Sequence, residues 1–125
     1  MKELYKISGR VVQGDRRGKE LGFPTANMQL HKKIPEGIYA AQVTLNGKTY
    51  NAATFVGSAK TFMRTQIQLE SFLFDFTGDL YGKWLTVRLY EKIRENKKFD
   101  SVEELIAQMH KDIQMIKEFF AKKEV

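Results

Sequence analysis

The pair Asn46-Gly47 constrains this chain more than any other feature. Asn-Gly readily supplies the positive φ needed at both central positions of a type I′ turn, whose twist matches that of paired strands. On its upstream side Ile38 to Leu45 alternates, with Tyr39, Ala41, Val43 and Leu45 on one face. On its downstream side Lys48 to Val56 runs back. A two-residue turn joins antiparallel strands only. An antiparallel hairpin is therefore the centre to which the other segments are added.

Those segments are mostly strands. Leu4 to Gln13 reads as a first strand and Ala26 to Leu30 as a short second one. His31 to Gly37 is a polar connection, and Gly57 to Thr65 reads as a loop. Gln66 to Phe76 is a long strand whose apolar parity changes, odd at Ile67 and Leu69 but even at Phe72, Phe74 and Phe76. Either a bulge sits at Glu70-Ser71 or both faces are partly buried. After the turn Thr77-Gly78-Asp79, Lys83 to Ile93 returns with Leu85, Val87, Leu89 and Ile93 on one face. Arg94 to Asp100 is a basic connector. Ser101-Val-Glu-Glu104 is a capping box. It opens a helix whose apolar stripe is Val102, Leu105, Ile106, Met109, Ile113, Ile116 and Phe120. Strands joined by short turns, then one helix, predict a small closed or nearly closed β-barrel plugged or flanked by that helix.

A chain of 125 residues with 42% apolar content is one domain in size, and the expected unit is 1–125. The absence of cysteine excludes disulfides, thiolate metal sites and a cysteine nucleophile. His31 and His110 lack metal-ligand spacing, and both read as surface residues. No apolar run reaches membrane-spanning length and Met1-Lys2-Glu3 begins no secretory signal, so a soluble cytoplasmic protein is expected. The net charge of +6 favours anionic partners.

The chemistry concentrates first between Gly9 and Asn27. Gly14, Gly18 and Gly22 punctuate a segment that also carries Arg16, Arg17 and Lys19, and it ends in Pro24-Thr25-Ala26-Asn27. Glycine lets backbone approach a ligand closely. Thr25 and Asn27 are two apart, so on extended backbone they leave from one face with neutral oxygens that suit Mg²⁺ beside phosphates. A basic loop next to them fits a Mg-nucleotide. The bland alternative is a charged hairpin loop. The pattern is neither a Walker A loop nor a dinucleotide fingerprint. Glu70 is a second candidate. Set beside Phe72, Phe74 and Phe76, its carboxyl would be raised by desolvation and could act as a base; otherwise it is an exposed glutamate on a polar face. Asp79 to Lys83 contains Tyr81, able to stack on a base, and Gly82; on spacing alone an ordinary turn with a core tyrosine is the simpler reading. Lys92 to Phe99 mixes cations with an aromatic, which suits a phosphorylated aromatic ligand or a solvated charge run.

Four segments together resemble the riboflavin kinase family, including the kinase module of bacterial FAD synthetases. They are Gly9 to Asn27; Glu70-Ser-Phe-Leu-Phe-Asp75-Phe76 with Asp79-Leu-Tyr-Gly82; Ile93-Arg94-Glu-Asn-Lys-Lys-Phe99; and the helix start Asp100-Ser-Val-Glu-Glu-Leu105. They occur in order and span almost the whole chain. The resemblance implies a six-stranded antiparallel Greek-key barrel with a C-terminal helix. It implies transfer of the ATP γ-phosphoryl group to the 5′-hydroxyl of riboflavin, with FMN as product. By the same resemblance Thr25 and Asn27 match the positions that hold Mg²⁺, Thr25 also meeting the ATP phosphates. Gly14, Lys19, Leu73, Asp75 and Tyr81 match ATP-contacting positions, Glu70 the catalytic carboxylate, and Arg94, Lys97 and Phe99 the riboflavin/FMN site. The chain departs from the family at Lys60-Thr61-Phe62, where Pro-Thr-Phe is usual, and at Phe72, where histidine is frequent. No adenylyltransferase segment precedes these motifs, so the chemistry is expected to stop at FMN. The protein is expected to be a monomer or part of a bifunctional FAD synthetase, acting on small molecules rather than nucleic acid or membrane. A single-strand nucleic-acid-binding barrel and a flavin carrier without turnover are the competing classes.

Overall fold

A computed structural model describes residues 1–12, 24–60 and 65–123, with backbone alone at 59, 60, 65 and 66. The expectations for Gly14, Lys19 and the rest of the glycine loop, and for Thr61 and Phe62, lie outside the described residues. Six strands and a helix follow one another: β1 (Tyr5–Arg10), β2 (Ala26–Gln29), β3 (Gly37–Leu45), β4 (Lys48–Lys60), β5 (Thr65–Leu73), β6 (Trp84–Arg94) and α1 (Val102–Lys123). The strand order is β1-β6-β3-β4-β5-β2, with every pairing antiparallel. β3, β4 and β5 are successive neighbours, and β6 returns beside β3, which is the Greek-key arrangement. The two edges meet where Val12 bridges Asn27, the Val12 N–H donating to the Asn27 carbonyl at 2.7 Å. The sheet is thus a nearly closed barrel.

The central hairpin forms as its turn chemistry dictates. Asn46 and Gly47 take φ of 51° and 80°, and Leu45 faces Lys48 across the two-residue loop. Elsewhere the strands differ from the sequence reading. β4 and β5 extend through most of the expected loop 57–65, with Lys60 opposite Thr65. β1 ends at Arg10, leaving Val12 as an isolated bridge. β5 ends at Leu73, because Asp75 adopts a left-handed φ of 58° and turns the chain. No bulge marks Glu70-Ser71. The registers with β4 and β2 run through it unbroken, so the parity change reflects burial of both faces.

One face of the sheet lines the barrel interior. Met28, Tyr39, Val43, Val56, Leu69, Leu85, Val87 and Leu89 are fully buried there. Burying each such side chain contributes about 1.5–3 kcal/mol. The hydroxyls of Thr54 and Ser71 satisfy each other in this interior at 2.8 Å. The opposite face of the sheet is covered in part by α1, which packs against β3, β4 and β6 and buries Ile38, Ala40, Phe74, Ile116 and Phe120. The helix therefore flanks the barrel. Val102, at the start of its apolar stripe, is exposed, and burial is deepest toward the C-terminal half at Ile116 and Phe120. Ile93 does not share a face with Leu85, Val87 and Leu89. Two register shifts against β3 turn Tyr90 and Ile93 toward the helix side. These irregularities re-aim the end of β6, a common use of bulges, and deliver Arg94 to α1. The cap forms as well: the Ser101 hydroxyl accepts the Glu104 N–H at 3.1 Å. The Glu104 carboxylate reaches one residue further back, to the Asp100 N–H at 3.1 Å.

Candidate active site

The barrel closure coincides with a cleft. A recess of about 680 Å³ opens where β1 runs on through Val11 and Val12 and β2 begins at Pro24-Thr25-Ala26-Asn27. Its other wall comes from Phe72 and Leu73 at the end of β5 and from the turn that follows, through Leu80 and Tyr81. That turn is fastened to β1. The Gly82 N–H donates to the Val11 carbonyl at 3.0 Å, and the Val11 N–H to the Lys83 carbonyl at 2.9 Å. Gly82 holds φ at 77°, a value that disfavours other residues. The Asp79 carboxylate accepts the Tyr81 N–H at 2.9 Å, an Asx-type bond that sets Tyr81 at the rim with its ring exposed.

Thr25 and Asn27 both line this cleft, as their two-residue spacing suggested. Ala26 and Met28 point into the barrel, so strand alternation sends Asn27 to the other face. Asn27 is 6% exposed. Its Nδ2 donates to the Thr25 carbonyl at a long 3.4 Å. Its Oδ1 is buried with no hydrogen-bond partner among the described residues. A buried acceptor left in this state normally costs about 1–3 kcal/mol. Such an oxygen beside Thr25, at the mouth of a cleft, fits a hard cation that takes oxygen ligands. Among the described residues no group of three or more His, Asp or Glu gathers to hold a metal.

Glu70 lies directly opposite Asn27 on β2 and opposite Phe55 on β4. Residues so opposed project from the same face with Cβ atoms about 5 Å apart. Leu69 and Ser71 fill the interior, so Glu70 belongs to the outer face with Asn27 and Phe55. It is half-buried and does not itself line the cleft. Of the remaining expected nucleotide contacts, Leu73 and Tyr81 line the cleft, whereas Asp75 sits exposed on the turn outside it.

Arg94, Lys97 and Phe99 form a second cluster at the end of β6. The Arg94 guanidinium lies 5.9 Å and the Lys97 ammonium 5.2 Å from the Phe99 ring centre. Asn96, between them, donates from Nδ2 to the Val56 carbonyl at 3.1 Å, and its Oδ1 is buried without a partner among the described residues. That bond fastens the connector to β4 one residue from Phe55. Beside it, the tip of the Phe55 ring reaches over Gly57, where any Cβ would run into it. A continuous row thus crosses the outer face, from connector to Phe55, Glu70 and Asn27.

Sequence reasoning missed three members of this arrangement: Phe55, Asn96 and Asp112. Asp112 is the most legible of them in retrospect. It lies seven residues after Leu105 and four before Ile116, on the helix's apolar stripe, where an unpaired carboxylate would not be tolerated. It is 3% exposed and accepts two hydrogen bonds from Arg94.

A family model described as Flavokinase, riboflavin kinase, matches residues 1–120. The chain belongs to the riboflavin kinase family. It is 39% identical over 119 residues to a bifunctional riboflavin kinase/FMN adenylyltransferase of Haemophilus influenzae, a match covering 93% of this chain and 39% of that protein. A Bacillus subtilis protein of the same description is 37% identical over 123 residues, covering 94% of this chain and 39% of the relative. The chain therefore spans about two fifths of the length of these relatives. Among solved structures, the riboflavin kinase from Trypanosoma brucei superposes with a TM-score of 0.69 over 95% of this chain and 81% of that one. At 23% identity this likeness speaks to the fold alone. A Streptococcus pneumoniae structure described as a macrolide-efflux protein superposes with a TM-score of 0.82 at 35% identity, over 90% of this chain and 38% of that one. Among the described residues, no helix is long and apolar enough to cross a membrane.

Proposed function

We propose that the chain, as a kinase domain over residues 1–125, transfers the γ-phosphoryl group of ATP to the 5′-hydroxyl of riboflavin, giving FMN and ADP. Besides the family match, one observation carries this reading. Glu70 stands in the ladder between the buried oxygen of Asn27, unpaired among the described residues, on one side and Phe55 with the Arg94–Phe99 connector on the other. A phosphoryl donor in the cleft and a flavin against the connector would meet at this carboxylate.

Phosphoryl transfer asks for positioning and charge neutralisation more than for covalent help from the protein. The cleft would take ATP with Tyr81 and Leu73 against the nucleotide and Thr25 toward its phosphates. Mg²⁺ held by Thr25 and Asn27, with water and phosphate oxygens, would neutralise charge that builds on the transferring group. Arg94, Lys97 and Phe99 would hold the flavin end of riboflavin. Glu70 would then accept the proton of the ribityl hydroxyl as its oxygen bonds to the γ-phosphorus and the bond to ADP breaks. Catalysis in the cytoplasm by a monomer, or by this unit within a longer bifunctional enzyme like its relatives, completes the proposal.

The decisive experiment is incubation of the purified 125-residue chain with riboflavin and Mg-ATP, followed by separation of the flavins. FMN appears and FAD does not. Absence of FMN under every nucleotide and metal condition, with riboflavin still bound, would leave a flavin carrier in its place.

A further inference from the structure

Asp112 lies on α1, away from the cleft, and no reading of the motifs assigns it a part. Its carboxylate takes Arg94 in a two-pronged pair, Nε to Oδ1 and Nη2 to Oδ2, both at 2.8 Å. Gln108, one turn earlier, adds a bond from Nε2 to Oδ1 at 2.9 Å. The side chains are 19% and 4% exposed for Arg94 and Asp112, so the pair is largely out of water. Planar two-pronged pairing fixes the guanidinium in plane and direction as a single hydrogen bond does not.

The orientation leaves Arg94 few free donors. Its Nε–H and one hydrogen of Nη2 are taken by Asp112, and Nη1 donates to the Glu95 carbonyl at 2.9 Å. That last bond grips the connector backbone as it leaves β6. The guanidinium also approaches the Phe99 ring, at the connector's far end. One cation, held from behind by the helix, thus ties both ends of the segment 95–99.

We propose that Asp112 is a positioning residue for the riboflavin site, acting through Arg94 to set the connector and the Phe99 ring rather than touching substrate. This rests on the reading of the connector as the flavin side of the active site. Arg94 then serves as a strut as well as a flavin-facing residue, and Asp112 and Gln108 govern riboflavin affinity while leaving the nucleotide cleft alone. The asymmetry between substrates is what distinguishes this from plain stabilisation. A buried pair broken by loss of one partner always destabilises, but only a positioning role raises one KM and spares the other.

The test uses the full chain, assayed well below each variant's melting temperature. In Asp112→Asn the riboflavin KM rises about tenfold, with the ATP KM and kcat within about twofold of wild type, the pattern of lost binding to one substrate. Asp112→Glu, which keeps the charge, recovers part of the loss. Fluorescence titration of riboflavin follows the same order without turnover. Should Asp112→Asn not fold, Gln108→Ala removes one bond only and raises the riboflavin KM about two- to threefold. An unchanged riboflavin KM in whichever of these variants folds, or both KM values rising together, overturns the proposal. Wild-type chain that makes no FMN is a different failure, that of the kinase reading.

Discussion

At Glu70 the exchange of one oxygen for an amide separates a base from a surface residue. Glu70→Gln keeps the shape beside Phe55 and removes the proton acceptor. General-base catalysis contributes about 10²–10⁴-fold, so kcat falls within that range while ligand affinities hold. A kcat within about threefold of wild type, with chemistry rate-limiting, would take Glu70 out of the mechanism. Asn27 offers the complementary test. Its Oδ1 is buried and unpaired among the described residues, so Asn27→Ala relieves a standing cost. The melting temperature without ligand is therefore not lowered, while calorimetry finds Mg-ADP bound much more weakly. Undiminished Mg-ADP affinity would show that Asn27 holds no cation. Both residues were readable in the sequence as candidates: Asn27 from its spacing to Thr25, Glu70 as a carboxylate placed mid-strand among aromatics. Their direct opposition was not, because it depends on which residue of β2 faces which of β5, and no local pattern carries that register.

Helix α1 begins where the capping pattern says it begins, since Ser101 and Glu104 need only their neighbours to act. Ser101→Ala leaves the Glu104 N–H without its acceptor and costs about 1 kcal/mol of stability, read as a lower denaturant midpoint at unchanged slope. An unaltered midpoint would mean water replaces the cap at no cost. The Asn46-Gly47 turn is local in the same sense and was equally readable. The end of β6 is the contrary case. No glycine marks its irregularities, and Leu85, Val87, Leu89 and Ile93 look like one uninterrupted face. The shift arises because β6 must serve the barrel interior up to Leu89 and the helix from Tyr90 onward. The partner of Asp112 is hidden for a related reason, lying eighteen residues away on another element.

Across the whole molecule, burial leaves a signature in the pH dependence of folding. Tyr39 is held above the ordinary tyrosine range chiefly by burial, with Tyr5 and Glu95 adding to the effect, and its hydroxyl donates to the Pro35 carbonyl at 2.6 Å. Tyr90 is raised mainly by burial, Arg88 opposing and Glu3 reinforcing, and it donates to the Gln42 side chain at 3.0 Å. A raised folded-state value means that folding favours the neutral phenol. Its contribution is complete below the unfolded value of about 10 and is lost as pH climbs through the folded one. Denaturation midpoints therefore fall more steeply above about pH 10 in wild type than in the Tyr39→Phe/Tyr90→Phe variant; equal slopes would exclude these phenols as the cause. The antiparallel barrel was readable from turn lengths, but not where it shuts, since that is decided by strands distant in sequence. Among the described residues, Val12 and Asn27 make the only bridge between the two edges, whereas every other neighbouring pair is joined by a full ladder. Where the described edges share one such stitch, the ring closes like a clasp. Its easiest breathing motion is concentrated beside Thr25 and Asn27, so the Val12 amide exchanges with solvent before those of β3 and slows when Mg-nucleotide spans the gap. On the proposed kinase reading, nucleotide would enter and leave beside this bridge.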